Sequence, residues 1–423
     1  MNDMNKRTFL SLLLCVCSLS FLHAERVDMQ QAGADIQGRK LNTTLINSTI
    51  DRLNANGGGT LFFPTGTYLT GSIHMKSNIT LELEAGATLK FSENFDDFLP
   101  YVEVRHEGIM MKSFQPLIYA VDAENITIKG EGTLDGQGKA WWTEFFRVLV
   151  DLRDNGKRNI NKYQPMFEKE NDLKALYAET NEDWHGTLDR RFFRPPFIHP
   201  IRCKNVRVEG VKIINSPFWT VNPEFCDNVT IKGITIHNVP SPNTDGINPE
   251  SCKNVHISDC HISVGDDCIT IKSGRDLQAR KLGVPCENIT ITNCTMLSGH
   301  GGVVIGSEMS GSVRKVTISN CVFDGTDRGI RIKSTRGRGG VVEDIRVSNV
   351  VMSNIKQEAV VLNLKYSKMP AEPKSERTPI FRNVHISGMT VTNVKTPIKI
   401  VGLEEAPISD IVLRDIHIQE GKQ

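Results

Sequence analysis

Between Asn243 and Lys333 lie four short polar clusters: Asn243-Thr244-Asp245, Gly265-Asp266-Asp267, Gly299-His300-Gly301 and Arg331-Ile332-Lys333. Three carboxylates, an imidazole and two cations suit acid-catalysed cleavage of an acidic sugar polymer. Such a cleavage needs one group to protonate the leaving oxygen and another to bring a nucleophile to the anomeric carbon. Crowding Asp245, Asp266 and Asp267 raises at least one pKa by like-charge repulsion, which keeps an acid protonated near working pH. Arg331 and Lys333, two apart on a strand, project from one face and suit a sugar carboxylate. Taken singly, each cluster reads as a turn or a solvated face. Their order, each roughly one turn of a repeating coil after the last, is what joins them into a site.

The coil is legible outside the clusters. Cys203-Lys204-Asn205-Val206, Cys226-Asp227-Asn228-Val229, Cys252-Lys253-Asn254-Val255 and Cys286-Glu287-Asn288-Ile289 repeat one pattern. Weaker copies surround Asn78, Asn125, Asp344, Asn383 and Asp410, and one copy carries Lys315 in place of the Asn. Each copy opens a short alternation of β-branched residues, the signature of a half-buried strand. Strands that cannot bury an apolar face alone do so by stacking coil on coil, which predicts an all-β, single right-handed parallel β-helix. The Asn positions belong at the bends, where an amide satisfies backbone groups and stacks on its counterpart one coil away. A leucine-rich or helical solenoid lacks the required Leu spacing or 3.6-residue period.

One amphipathic helix is expected around Asn42 to Asn54, with Leu45, Ile46, Thr49, Ile50 and Leu53 on its apolar stripe, capping the first coil. Gly265 permits the bend that brings adjacent Asp266 and Asp267 into one cleft, and the glycines beside His300 open the backbone to substrate. From about 139 to 200 the pattern is interrupted by an insertion rich in charge and aromatics, including Trp141, Trp142, Phe145, Phe146, Trp184 and Phe193. It either lines the functional face or covers apolar surface along the flank.

Residues 1–24 read as a secretory signal: Lys6 and Arg7, an apolar run from Phe9 to Leu22, and a small residue at Ala24. That run is too short for a comfortable membrane span, and no later segment is a candidate. The expectation is an exported chain, periplasmic or extracellular, with one catalytic domain over 25–423 acting as a monomer. A net charge of +1 gives no support to a nucleic-acid partner. The eight cysteines beyond the signal mostly share a phase of the repeat, so they read as stacked, buried thiols; neither their spacing nor any His partner suggests zinc. The Asn-x-Thr triplets at Asn78, Asn125, Asn228 and Asn288 fall on the same phase.

Gly33-Ala34-Asp35, Pro64-Thr65-Gly66-Thr67-Tyr68, Gly132-Thr133-Leu134-Asp135-Gly136, Ser216-Pro217-Phe218-Trp219 and all four clusters resemble glycoside hydrolase family 28, the polygalacturonases and their relatives. The resemblance implies a right-handed parallel β-helix that hydrolyses α-1,4 links between galacturonic acid units with inversion and without metal or cofactor. It implies Asp266 as proton donor, Asp245 and Asp267 as the pair activating water, and His300 as support for the acid. It implies Arg331 and Lys333 as carboxylate ligands, with Asn243 beside the site and Tyr366 as the candidate for a further substrate-binding tyrosine. An intact Arg331 and Lys333 favours galacturonan, the acidic polysaccharide of pectin, over rhamnogalacturonan. Cleavage from chain ends would need loops that close the cleft, which the 139–200 insertion can supply. Two other classes stay open at this point: a β-helix lyase, which needs an acidic calcium site, and a non-catalytic glycan-binding β-helix, which needs no aspartates at one level.

Overall fold

The computed structural model describes residues 25–155, 161–189, 192–238 and 241–419. The expected signal and its cleavage point lie outside them. The described chain winds into a parallel β-helix, and the usual right-handed crossover between parallel strands sets its hand. Each full coil lays strands on three faces. On the first face Ile126, Val206, Val229, Val255, Ile289, Val316, Ile345, Val384 and Ile411 stand in one ladder through nine coils. All but Ile411, on the last coil, are buried. Each such side chain contributes about 1.5–3 kcal/mol on leaving water, which no isolated strand could gain.

The bends carry the expected residues for a conformational reason. Asn78, Asn125, Asn205, Asn228, Asn254, Asn288, Lys315, Asp344, Asn383 and Asp410 have φ between 52° and 64°. Asn and Asp tolerate this left-handed region best among residues with a side chain. The amides then hydrogen-bond coil to coil: Asn125 to Asn78, Asn205 to Asn125, Asn228 to Asn205 and Asn288 to Asn254, at 2.7–3.1 Å. The Asn-x-Thr triplets are ladder positions. All eight cysteines among the described residues are free and buried.

The third face departs from the half-buried strand the alternation predicts. Asp267–Ile271 and Gly301–Ile305 are buried at every residue, because a layer of polar side chains and added segments covers their outer side. One cover is an antiparallel hairpin, Val102–His106 with Ile109–Ser113, which the sequence reading does not contain. The other is the insertion, four helices labelled α2 to α5: Lys139–Asn155, Tyr163–Glu170, Leu173–Ala178 and Glu182–Leu188. The coil resumes with the strand Ile198–Ile201, paired to Ile118–Val121, so the inserted part ends slightly before 200. Hairpin and insertion share a second apolar core of Val104, Ile109, Met111, Phe167, Leu176, Trp184, Leu188 and Phe193. Helix α1, Thr43–Ala55, buries Ile46, Thr49, Ile50 and Leu53 against the first coil as expected. The register also reaches further back than its Asn signal, through a strand at Glu25–Asp28 paired with Gly59–Phe63.

Candidate active site

The three aspartates meet on the third face. Asp245 precedes Ile247, which bridges to Ile269 one coil on; Asp266 sits in the bend before the strand that Asp267 opens. One carboxylate oxygen from each lies within 4.8 Å of the others. Gly265 is required here for space: a Cβ would fall 1.7 Å from the carbonyl oxygen of Ser241 on the previous coil. Gly299 serves the next coil in the same way, since its Cβ would fall 2.6 Å from the Asp266 carbonyl oxygen. Coil contact, more than access for substrate, accounts for both glycines.

The surroundings of the carboxylates differ. Asp245 is 3 % exposed and accepts hydrogen bonds from Asn248 Nδ2 at 3.0 Å and Thr270 Oγ1 at 3.4 Å. Burial, then the charge of Asp266, pushes its carboxyl well above the carboxylate range. Asp267 is 1 % exposed and is gripped by Lys333 Nζ at 2.7 Å, with Arg331 Nη1 at 3.7 Å. Asp266 is the most open of the three and lies 3.2 Å from His300 Nδ1. Burial opposes its ionisation, but the His300 hydrogen bond and the charge of Lys333 outweigh it and hold the carboxyl below its usual value. The same hydrogen bond raises the imidazole pKa of His300. Asp245 and Asp266 are thus shifted in opposite directions, with Asp266 hydrogen-bonded to His300.

The cations are less open than their strand position suggests. Side-chain exposure is only 12 % for Arg331 and 8 % for Lys333, so they are structural partners of Asp267 as well as candidate ligands. Tyr366 lies over both, with its ring centroid 5.4 Å from the Arg331 guanidinium carbon and 5.3 Å from Lys333 Nζ. Asn243 joins the site from the loop before Asp245, and its Oδ1 accepts a hydrogen bond from Arg194 Nη2 at 2.7 Å. All eight residues singled out in the sequence thus gather at one place.

The structure adds residues that the sequence reading missed. A polar pocket of about 160 Å³ is lined by Asn243, the three aspartates, Lys333 and Tyr366, and also by Glu107, Trp219, Lys272, Arg275, Ser307 and Glu308. Lys272 pairs with Glu308 at 2.7 Å; burial opposes its charge, yet Glu308 and Asp245 hold its pKa above the ordinary ammonium value. Glu107, at the tip of the hairpin, accepts a hydrogen bond from Trp184 Nε1 at 2.8 Å and faces Arg275 at 3.8 Å. Hairpin, insertion and the loop before helix α6, Asp276–Leu282, thereby wall off this end of the site. On the other side of His300 a wider groove of about 590 Å³ opens.

The carboxylate trio is the one group among the described residues able to offer three ligands to a metal ion. Its donor set fits a divalent cation poorly, because Lys333 already occupies Asp267 and Lys272 adds a second positive charge nearby. No described helix is long and apolar enough to cross a membrane.

Comparison with known proteins agrees with the geometry. Residues 184–423 match the model of glycosyl hydrolases family 28. A probable polygalacturonase of Vitis vinifera is 30 % identical over 90 % of this chain and 72 % of its own length. An endo-polygalacturonase of Pectobacterium parmentieri is 31 % identical over 79 % of this chain and 76 % of its own. Among solved structures, a hyperthermoactive exopolygalacturonase from Thermotoga maritima superposes with a TM-score of 0.83 at 36 % identity, covering 94 % of this chain and 88 % of that one. With the coil, the carboxylate trio and these likenesses in agreement, the chain belongs to glycoside hydrolase family 28.

Proposed function

We propose that this protein is an exported, monomeric, exo-acting polygalacturonase that hydrolyses α-1,4-linked galacturonic acid polymers of pectin with inversion. The observation that carries the reading is the carboxylate trio, flanked by Lys333, Arg331 and Lys272, at the mouth of a pocket closed on one side. At about 160 Å³ the pocket is well below the size of a drug-binding cavity and has room for about one sugar ring. That closure, together with the likeness to an exopolygalacturonase structure, supports attack at chain ends. Residues 1–24 serve as the export signal and 25–423 as the single catalytic domain with its insertion.

In this reading Arg331, Lys333 and Tyr366 hold a uronate unit and Asn243 contacts it. Asp266, the carboxyl most open to the cleft, protonates the glycosidic oxygen while His300 holds it in place. Asp245 is held through one oxygen by Asn248 and Thr270 and Asp267 through one oxygen by Lys333, which leaves the other oxygen of each to face a water. A water held between them is the nucleophile, and they take up its proton. This argument favours inversion although three carboxylates within 4.8 Å fall nearer the short separation of retaining enzymes. The productive form has Asp266 protonated, ready to give its proton to the leaving oxygen.

The test is a time course of products from polygalacturonate, with methylated and rhamnose-containing pectins alongside. Monogalacturonate should appear from the outset, in its β-anomer by proton NMR, without ultraviolet absorbance. An early ladder of oligomers would overturn the exo reading. An absorbing product would indicate a lyase, an initial α-anomer a covalent intermediate, and no product at all a binding protein.

A further inference from the structure

The insertion helix α2 buries Trp141 and Val148 and lays Phe145 against Arg194, whose guanidinium carbon lies 4.3 Å from the ring. Phe146, one position on, is a member of neither apolar core, meets the Phe145 ring edge-on at 5.4 Å and is 44 % exposed. A lone exposed Phe needs no explanation on a convex surface. This one lines the 590 Å³ groove that opens beside His300, together with Pro242, Gly299, Asp327 and Lys356. Lys356 Nζ sits 3.1 Å from Asp327 Oδ1 and is 62 % exposed, so it is steadied at the groove and still has donors to spare. Glu107, Trp184 and Arg275 lie at the opposite end of the small pocket, so this groove offers a polymer whose terminal unit fills that pocket a path onward past His300.

Building on the proposed exo action, we infer that the groove is a second sugar-binding site: Phe146 is a stacking platform for a uronate ring at least two units from the chain end, past the ring next to the cleaved bond, and Lys356 binds that ring's carboxylate. The chemistry fits an acidic pyranose, whose C–H face lies on an aromatic ring while its carboxylate reaches a cation. Neither residue touches the carboxylate trio, so both govern affinity for chain length and leave bond cleavage to the main site.

The experiment compares kcat/KM of wild type, Phe146→Ala, Phe146→Trp and Lys356→Ala on digalacturonate and on pentagalacturonate. Phe146→Ala should lower the value for pentagalacturonate by about 2- to 12-fold, the range of an aromatic contact, with digalacturonate little changed. Phe146→Trp should keep the preference for the longer substrate. Lys356→Ala should act in the same direction, with an effect that fades in added salt. Equal losses on both substrates, or none on pentagalacturonate, would overturn the inference. If wild type hydrolysed neither substrate, the proposed function itself would fail. Melting curves of the variants separate loss of binding from loss of fold, which exposed positions should not disturb.

Discussion

Replacing Lys333 by Met removes one charge from a buried pair and keeps most of the side-chain volume. Asp267 is 1 % exposed and its Oδ1 has no hydrogen-bond donor among the described residues. Its ionised form therefore depends on Lys333 at 2.7 Å and Arg331 at 3.7 Å. At an effective dielectric near 20 these attractions are about 6 and about 4.5 kcal/mol, so the variant keeps somewhat less than half of the pairing. Stranding a buried charge outright costs about 3–5 kcal/mol. With Arg331 still in reach, the expected loss is at the lower end, about 3 kcal/mol.

Denaturant unfolding at neutral pH, with the slope checked for cooperativity because coils can unfold in blocks, measures that loss. The informative partner is the double variant Lys333→Met with Asp267→Asn, in which no carboxylate is left stranded. It should be more stable than Lys333→Met alone. Stability of the single variant equal to wild type, or a double variant no better than the single, would refute the argument that Lys333 neutralises Asp267. Oligogalacturonate binding should weaken in either case, by the roughly 1.5–3 kcal/mol of a charge-assisted contact.

Asp266→Asn should fold normally and lose at least about a hundredfold in turnover, since an amide has no proton to give; because Asp266 raises the His300 pKa, the imidazole should also titrate lower in this variant by NMR. Near wild-type turnover would reject Asp266 as the acid. Glu224→Gln probes a second buried cluster, in which Glu224 and Glu250 share Arg105 at 3.2 and 3.6 Å. Burial, then the charge of Glu250, holds the Glu224 carboxyl well above its usual value. A carboxyl raised in the folded state contributes stability at acid pH that is lost as pH climbs from its unfolded to its folded pKa. The variant should thus gain on wild type at pH 7 and show no gain near pH 4; a gain confined to acid pH in denaturant midpoints would contradict this.

What the sequence made legible was whatever repeats. The bend positions could be read even at Lys315, where φ is 57° despite the wrong residue type, because the flanking Val313 and Val316 hold the phase. The four clusters were legible because the coil spacing ordered them. The hairpin of Val102–Ser113 left little trace: its turn is Glu107-Gly108, with φ of 45° and 86°, and Glu is not a residue that announces such a turn. Lys272, Arg275 and Glu308 escaped for another reason. Their importance lies in burial beside the carboxylates, created by long-range packing of hairpin and insertion, and a lysine ending the run Ile269-Thr270-Ile271 reads as an ordinary strand end.

The placement of the charges also bears on the glycine of the coil that separates Asp267 from its cations. Register pairs Asp267 with Gly301 on the next coil and Val304 with Arg331 on the one after, so Lys333 must cross a full coil to reach Asp267. A Cβ at Gly301 would sit 2.4 Å from Val304 Cγ2, 3.2 Å from Asp267 Oδ1 and 3.9 Å from Arg331 Cδ, beside the approach of Arg331 to that oxygen. A larger side chain there would clash with Val304 and crowd Arg331 against Asp267 Oδ1, weakening part of the compensation of this buried carboxylate. Gly301 therefore belongs to the electrostatics of the site: by contributing nothing but backbone, it leaves room for Arg331, two coils on, to approach Asp267.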